Sequence, residues 1–225
     1  MVPWELLACA PVPGGGGVLR LYRRGGEFSI RVAGCELMNS CLHGSEEALA
    51  ELACAKIAGR PRPRLLVGGL GMGFTLKAAL RHLGPAARVV VAELVPAVVA
   101  WNRGPLADLA GGPLEDRRVA VCETDVARVL QAATGGFDAI LLDVDNGPDG
   151  LTRRDNTRLY AAAGLAAAYN ALRPAGVLGL WSIAPDPAFA RRLRQAGFAV
   201  EEVRVRARGG RRGGRHTVWI AVRGA

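Results

Sequence analysis

A short apolar strand that runs directly into a glycine-rich turn constrains this chain more than any other feature. Residues 65–73 read LLVGGLGMG, with Gly69, Gly71 and Gly73 at alternate positions and a helical pattern after them. Glycine permits a sharp turn and leaves no Cβ in the way of a ligand. Glu93 ends the next apolar run, at the distance where an acid accepts hydrogen bonds from both hydroxyls of a ribose. Together these features predict a site for an adenosine-containing cofactor.

The spacing of the glycines distinguishes between two classes of such cofactor. Dinucleotide-binding proteins prefer G-x-G-x-x-G, and here Phe74 occupies the position of the third glycine of that motif. The observed G-x-G-x-G spacing suits S-adenosylmethionine, whose amino-acid end lies against the loop and carries no pyrophosphate. A glycine-rich turn without a ligand is the alternative, because the chain has 30 glycines in all.

The composition predicts a globular cytoplasmic protein. The 225 residues are enough for one α/β domain, and half of them are hydrophobic. No apolar run reaches the roughly 18–20 residues needed to cross a bilayer, and the first residues lack the basic start of a signal peptide. The five cysteines have no C-x-x-C spacing, which favours reduced thiols over disulfides or zinc. The net charge of +9 comes almost entirely from arginine and fits a composition bias better than a nucleic-acid ligand.

The first part of the chain predicts a small β-meander followed by one helix. Alternating apolar and polar residues over 18–38, interrupted by glycines, are typical of short antiparallel strands. Ser45 is the expected N-cap of the helix, because two glutamates follow it in the first turn. Residues 60–64 alternate Arg and Pro and are expected to form a linker. We therefore expect a small N-terminal unit at 1–60 and a catalytic, cofactor-binding domain at 61–225.

From residue 64 onward, strand-like and helix-like patterns alternate, which predicts a mostly parallel sheet with helices on both faces. No helix separates the last two strands, so they should form an antiparallel hairpin. The expected fold is α/β and Rossmann-like, of the class I methyltransferase type. The predicted strands are 64–68, 88–93, 118–122, 137–143, 176–182, 199–206 and 216–222, and the predicted helices are 74–83, 96–103, 125–133, 157–172 and 186–196.

Polar residues are predicted beyond the carboxyl ends of the strands, where ligands of open α/β sheets bind. Asp125 follows the third strand, where it can accept a hydrogen bond from an adenine amino group, cap the next helix, or do both. Asp143 ends a buried strand at the centre of the cleft, and Asp145 and Asn146 share its loop. The two aspartates could hold a cationic donor and accept a proton from a nucleophilic nitrogen. A turn that binds nothing is the alternative.

This loop is not predicted to bind a metal ion. Asp143 and Asp145 resemble the start of a calcium loop, but Pro148 stands where the sharp-turn glycine belongs and Arg154 where a bidentate glutamate belongs. The three histidines are far apart in the sequence, and only His43 lies near a segment that could reach the cleft.

With these residues placed, the chain resembles the spermidine synthase-like family of class I adenosylmethionine-type transferases over nearly its whole length. The resemblance implies that Glu93 binds the ribose, Asp125 the adenine and Asp143 the reacting amine. It also implies a homodimer formed through the N-terminal strands. The motifs that carry it are the meander, the loop at 67–73, these three acids, two glutamates on the first helix and the Leu159-Tyr160 pair. The acceptor-binding residues expected from it are Glu46, Glu51, Asn146 and Tyr160.

Departures from the family pattern favour a methyl donor over an aminopropyl donor. The aminopropyltransferases resemble one another in an acid of the glycine loop that holds the aminopropyl end, but here the loop has Leu70 and Met72. Leu49 stands where their tyrosine contacts a diamine. After the central aspartate they resemble Asp-Ser-Ser-Asp-Pro, whereas this chain continues Val-Asp-Asn-Gly-Pro. A diamine needs an acidic and aromatic slot, and two of its parts are missing.

Three functions are compatible with these features. The first is an S-adenosylmethionine-dependent methyltransferase that orients the nucleophile of a small-molecule or peptide acceptor in line with the methyl group. The second is an aminopropyltransferase that makes a polyamine from decarboxylated S-adenosylmethionine. The third is a nucleic-acid-binding module in which the arginine-rich hairpin 207–215 tracks phosphates, although Glu93 and Asp143 would then have no role. The sequence favours the three in this order.

Overall fold

The structure contains two β-sheets, with helices packed against the larger one. The computed structural model describes residues 2–15, 17–144, 157–207 and 214–224. Within them an antiparallel four-stranded sheet precedes a mostly parallel seven-stranded sheet. This confirms the α/β class I fold expected from the sequence. None of the helices in these ranges is long and apolar enough to span a membrane.

The N-terminal sheet has four strands in sequential order, and the first of them precedes the predicted meander at 18–38. They are β1 (Glu5–Pro11), β2 (Val18–Arg24), β3 (Glu27–Val32) and β4 (Cys35–Asn39). β1 reads ELLACAP and lacks strict alternation, so its pattern did not identify it as a strand. In β2 the alternation holds, because Leu19 and Leu21 are buried and Arg20 between them is partly exposed. In β3 Ile30 and Val32 are buried on either side of the partly exposed Arg31, but Ser29 is buried as well.

The first helix, α1 (Gly44–Lys56), connects the two sheets. The expectation that Ser45 caps it is wrong, because the N-cap position is His43 and no side chain caps the helix there. Ser45 lies inside the first turn, and its Oγ is instead 2.8 Å from Nδ1 of His216. The helix packs closely on the large sheet, since a Cβ at Gly179 would lie 2.9 Å from Cδ1 of Leu49.

The large sheet has the strand order β10-β11-β9-β8-β5-β6-β7. Its predicted strands and hairpin are all present, with bounds that differ mainly at the ends. The strands are β5 (Arg64–Gly68), β6 (Arg88–Glu93), β7 (Val119–Glu123), β8 (Phe137–Leu142), β9 (Leu172–Ser182), β10 (Phe198–Arg206) and β11 (Arg215–Arg223). The helices among them are α2 (Phe74–His82), α3 (Pro96–Arg103), α4 (Val126–Ala132), α5 (Thr157–Tyr160), α6 (Ala162–Ala171) and α7 (Pro187–Gln195).

Two features of this domain differ from the expectation or refine it. The predicted helix 157–172 is divided into α5 and α6, because Ala161 has an extended backbone with ψ 165°. The hairpin strand β11 is antiparallel to both of its neighbours and lies between β9 and β10. The last strand of the sheet in sequence is therefore an interior strand.

A buried carboxylate fixes the segment that enters the large sheet. Asp138 is 1% exposed and accepts hydrogen bonds from the guanidinium groups of Arg60 and Arg173 and from the backbone N–H of Arg64. Arg60 also donates to the carbonyl oxygen of Ala175. A buried charge is tolerated when it is paired and hydrogen-bonded in this way. The predicted linker 60–64 is consequently held against β8 and β9.

Candidate functional site

The strand order reverses beside β5, since β6 lies on one side of it and β8 on the other. A cleft opens at this point beyond the carboxyl ends of the strands, where such sheets bind ligands. Together with the open solvent at its mouth it spans about 790 Å³. Gly69, Gly71, Glu93, Asp125 and Asp143 all line it. Five of the predicted site residues therefore meet in one place.

The glycine loop forms a cradle that larger residues would fill. Gly69, Gly71 and Gly73 all have left-handed backbones, with φ of +85°, +53° and +83°. A Cβ at Gly69 would lie 2.5 Å from the carbonyl oxygen of Asp143, and one at Gly71 would lie 2.9 Å from Cε of Met38. Gly73 does not line the cleft but occupies the N-cap position of α2. Glycine is thus required at 69 both for the turn and for the space.

Glu93 braces this loop from the end of β6. Its side chain is buried, and its two carboxylate oxygens each accept a 2.8 Å hydrogen bond, one from the backbone N–H of Leu70 and one from that of Val95. Each carboxylate oxygen can accept more than one hydrogen bond, so these contacts leave capacity for ligand hydroxyls. The ribose-binding role of Glu93 stays a prediction, and the structure adds a role in holding the loop.

Asp125 combines the helix-capping role with a position in the cleft. It is the N-cap of α4, and its Oδ1 accepts a 2.9 Å hydrogen bond from the backbone N–H of Ala127. The capping role expected from the sequence is confirmed. Asp125 also lines the cleft, and a carboxylate has two oxygens that can accept hydrogen bonds. Contact with an adenine amino group stays a prediction.

The pKa of Asp143 is shifted by its surroundings. Burial raises the pKa of its carboxyl to about 6, and a hydrogen bond from Thr75 acts in the opposite direction. Oγ1 of Thr75 donates that bond to Oδ2 of Asp143 over 2.7 Å. Thr75 was not predicted from the sequence, although its position in the first turn of a helix that follows a cofactor loop is a usable signal. At neutral pH a carboxyl of this kind is mostly ionised and still a competent proton acceptor.

A second carboxyl group, that of Glu46 on α1, interacts with Asp143, although Glu46 does not itself line the cleft. Burial raises the pKa of Glu46 well above its ordinary value, and the nearby charges of Asp143 and then Glu47 raise it further. The start of α1 is held close to α2, because the ring of His43 stacks on Phe74 with centroids 4.1 Å apart. Glu46 and Asp143 therefore form an acidic pair in which ionisation of one opposes ionisation of the other.

The remaining predicted residues do not line the cleft. Glu51 is exposed on α1, away from its buried face. Tyr160 is 2% exposed and packs edge-on against Phe189, while its hydroxyl donates a 3.2 Å hydrogen bond to the carbonyl oxygen of Val144. Tyr160 thus supports the cleft from behind, since Val144 is one of its lining residues. Asp145 and Asn146 lie outside the residues that the structure describes, and their roles stay predictions.

The N-terminal sheet supplies an apolar wall of the cleft that the sequence did not indicate. The wall is formed by Val12, Leu19, Ile30, Leu37 and Met38. Its contact with the loop is close at Gly71, where Met38 leaves no room for a Cβ. No pattern within the meander shows which partner its apolar face covers, so this contact could be found only in three dimensions.

The two non-glycine side chains within the glycine loop do not face the cleft. Leu70 and Met72 are 4% and 2% exposed, and neither lines the cleft. Among the residues that the structure describes, the titratable ones that line it are three acids, Glu93, Asp125 and Asp143. Among the described residues no group of three or more His, Cys, Asp or Glu side chains is placed to hold a metal ion. The acidic lining therefore favours a ligand with a cationic centre.

Comparisons with known proteins assign the fold. No protein-family profile matches the chain, and no curated protein sequence matches it. Among solved structures, spermidine synthase from Thermotoga maritima superposes with a TM-score of 0.76 and 17% identity, over 98% of this chain and 73% of that chain. A spermidine synthase in complex with the transition-state analogue AdoDATO gives a TM-score of 0.75 and 17% identity, with the same coverage of 98% and 73%. The chain has a spermidine synthase-like fold.

A methyltransferase shares part of this spermidine synthase-like fold. An O-methyltransferase family protein from Burkholderia thailandensis has a TM-score of 0.53 and 18% identity, over 80% of this chain and 55% of that chain. This superposition covers 80% of the chain, compared with 98% for the two spermidine synthases, so the likeness is limited to part of the chain. The fold resemblance expected from the sequence is thus confirmed, and the reaction has to be argued from the residues of the cleft.

Proposed function

We propose that the protein is a transferase that moves the methyl group of S-adenosylmethionine to an amine acceptor. The observation that carries this proposal is the position of Asp143 in one cleft with the glycine loop, Glu93 and Asp125. The glycine loop, Glu93 and Asp125 suit an adenosyl group. Asp143, a buried carboxyl with a pKa of about 6, suits removal of a proton from a nitrogen.

The residues present fit such a donor. The cradle at Gly69 and Gly71 exists only because no Cβ fills it, and backbone amides of such a turn suit the donor's amino-acid end. Glu93 would hold the ribose and Asp125 the adenine amino group. When bound, the donor supplies an electrophilic methyl carbon on a sulfonium. The acids lining the cleft stabilise that positive charge, and the apolar wall around Met38 excludes water.

Asp143 and its neighbours would prepare the acceptor. An amine reacts only in its neutral form, so the incoming ammonium has to lose a proton. Asp143, with Glu46 beside it, would hold the ammonium group and accept that proton at a carboxylate oxygen. Thr75 keeps one oxygen of Asp143 fixed and leaves the other for the acceptor. Catalysis would then consist mainly of orientation and proton acceptance.

Transfer of an aminopropyl group is the second candidate. It is supported by the acidic pair of Glu46 and Asp143, which could hold the cationic tail of decarboxylated S-adenosylmethionine in place of the missing loop acid. Two of the similar structures are spermidine synthases, which is a property of those proteins. The methyl donor is preferred because the loop carries Leu70 and Met72, and a carboxylate is better served by glycine amides without a nearby acid.

Calorimetric titration of one preparation with four ligands tests this proposal. The ligands are S-adenosylmethionine, its decarboxylated form, methylthioadenosine and NADH. We expect S-adenosylmethionine to bind more tightly than its decarboxylated form and NADH to bind least. If NADH binds best, the adenosyl-transferase proposal fails. If the decarboxylated donor binds best and incubation with putrescine releases methylthioadenosine, the second candidate replaces the first.

The proposal also includes an oligomeric state and a cellular location. A homodimer through the N-terminal sheet is proposed from the family resemblance, and sedimentation velocity of the purified protein tests it. A reducing, cytoplasmic location is supported by the cysteines, which are all free, with Cys9, Cys35 and Cys122 exposed.

A further inference from the structure

The indole of Trp181 contains an unpaired hydrogen-bond donor. Trp181 is 8% exposed, and its Nε1 is buried without a hydrogen-bond partner in the part of the chain that the structure describes. Buried polar groups in native proteins are nearly always bonded, so an unpaired one needs an explanation. The other two tryptophans of the large domain show the contrast: Nε1 of Trp219 donates to Glu202 over 3.2 Å, and Trp101 is not among the unpaired groups.

Trp181 does not line the cleft, but it lies on the same face of the sheet as Asp143, which does. β8 and β9 pair in parallel with Leu141 opposite Gly179, so Asp143 and Trp181, two residues further along, share one face of the sheet. Trp181 pairs with Val218 of β11, which puts His216 on the same face. The ring of His216 meets that of Trp181 edge-on at 4.8 Å. The row runs from Asp143 through Trp181 to His216.

The first turn of α1 lies over both ends of this row. At one end Ser45 Oγ is 2.8 Å from Nδ1 of His216. At the other end Glu46, the next residue, interacts electrostatically with Asp143. Trp181 lies between these two points on the sheet. The first turn of α1 therefore contacts the residues on both sides of Trp181.

The side chains of Asp143, Trp181 and His216 limit which ligand group can bind beside them. An indole N–H only donates, so its partner must be an acceptor atom, whereas an ammonium group and an alkyl chain offer none. Burial lowers the pKa of His216, which keeps its ring neutral, and Nδ1 is already engaged by Ser45. Of the described residues, Glu46 and Asp143 are an interacting pair of acids at one end of the row, and they oppose a ligand carboxylate. An uncharged oxygen satisfies all of these conditions.

We propose that the acceptor is an amine that also carries an uncharged oxygen, as in a carboxamide or an alcohol, and that Trp181 Nε1 donates a hydrogen bond to that oxygen. This inference rests on the proposed function, because it assumes that the amine itself lies at Asp143. On this inference Trp181 determines the specificity of the site for an amine that carries an oxygen over a simple diamine. A site that hydrogen-bonds one ligand group discriminates strongly against an analogue without it.

Three ligands with one carbon skeleton test this assignment on the unmodified protein. 4-Aminobutanamide, putrescine and 4-aminobutyrate share a terminal amine and differ in the other end, which is an amide, an ammonium or a carboxylate. Each is titrated calorimetrically into protein saturated with S-adenosylhomocysteine. We expect the amide to bind at least about tenfold more tightly than either of the others. Equal or tighter binding of putrescine or of 4-aminobutyrate overturns the inference, as does binding of none of the three.

Trp181→Phe and a matched control separate recognition from packing. The phenylalanine keeps an aromatic ring and removes the donor, so we expect the affinity for the amide to fall about tenfold and that for putrescine to stay unchanged. Trp219→Phe removes another buried indole, on the opposite face of the sheet, and should change neither affinity. Equal losses in both variants overturn the inference. Failure of S-adenosylhomocysteine to bind the unmodified protein instead overturns the proposed function.

Discussion

Thr75 donates a 2.7 Å hydrogen bond from Oγ1 to Oδ2 of Asp143, joining the first turn of α2 to the end of β8. The bond opposes burial, which raises the pKa of Asp143 to about 6, because it stabilises the ionised carboxylate. One hydroxyl therefore tunes the group that we propose as the proton acceptor, without itself lining the cleft.

Replacing this hydroxyl should shift the titration of Asp143. In Thr75→Val the bond that favours the carboxylate is lost, so we expect the pKa to rise above its present value of about 6. Thr75→Ser keeps the hydroxyl and is the matched control, expected to stay close to the unmodified protein. NMR titration of the carboxyl carbon measures both. A valine variant that titrates at or below the unmodified value contradicts the prediction.

The raised pKa of Asp143 also predicts how stability depends on pH. Its folded pKa of about 6 exceeds the unfolded value of about 3.9, so the folded state binds more protons between these limits. This contribution to the free energy of unfolding is present below about pH 4 and is lost as the pH rises through about 6. Asp143→Asn mimics the protonated form, so at pH 7 we expect it to be more stable by about 1–2 kcal/mol.

Urea unfolding at pH 4.5 and at pH 7 measures this difference. The gain should be present at pH 7 and much smaller at pH 4.5. Asp108→Asn changes an exposed aspartate and should alter stability at neither pH. A destabilised Asp143→Asn at pH 7 would show that the carboxylate is needed for folding.

Glu93→Ala should weaken the binding of S-adenosylhomocysteine by about 1.5–3 kcal/mol, because charge-assisted hydrogen bonds to the ribose are lost. It should also lower the melting temperature, since the backbone N–H groups of Leu70 and Val95 lose their buried acceptor. Glu123 pairs with Glu93 in register at the end of the neighbouring strand and is exposed, so Glu123→Ala is the control. Calorimetry and thermal unfolding of both variants decide the outcome, and equal affinities refute a ribose-binding role.

Gly69→Ala should disrupt the cleft more than its backbone angle alone requires. Gly69 and Gly34 have nearly the same left-handed φ, +85° and +83°, but a Cβ at Gly34 meets nothing within 4 Å. Gly34→Ala should therefore cost only the conformational strain, about 1–2 kcal/mol. In Gly69→Ala the contact with the Asp143 carbonyl should add about 1–3 kcal/mol and abolish adenosyl binding. Similar unfolding free energies in the two variants would show that the loop can relax.

The parts of the site that follow local rules were predictable from the sequence. The strand, the glycine turn and Glu93 are consecutive features of one βαβ unit, and the parallel strand order brings Asp125 and Asp143 to the same edge. Asp125 also caps its helix as its sequence position suggested. Ser45 did not, because a partner 171 residues away in sequence accepts or donates at its hydroxyl. Local propensity was overridden there by a tertiary contact.

Long-range packing was not predictable for the same reason. Nothing in the spacing of Met38 shows that its side chain closes over Gly71. Leu49 was expected to mark a change at the acceptor site, yet it lies buried against Gly179 in the core. Glu46 was expected at the acceptor site from the family resemblance, but Trp181 becomes relevant only when α1 is placed across the sheet. Such contacts join elements distant in sequence, and no periodicity records them.

The interior position of β11 has a consequence for the order in which the site is built during synthesis. The ribosome delivers Ser45 and Trp181 well before His216, the residue that contacts both. Until β11 pairs with β9 and β10, the sheet has a gap and the end of the row beside Trp181 cannot form. The residues that line the cleft all lie within the first 144 residues of the chain, whereas the proposed acceptor region forms only with the last strand. A nascent chain should therefore acquire affinity for the donor before it acquires specificity for the acceptor.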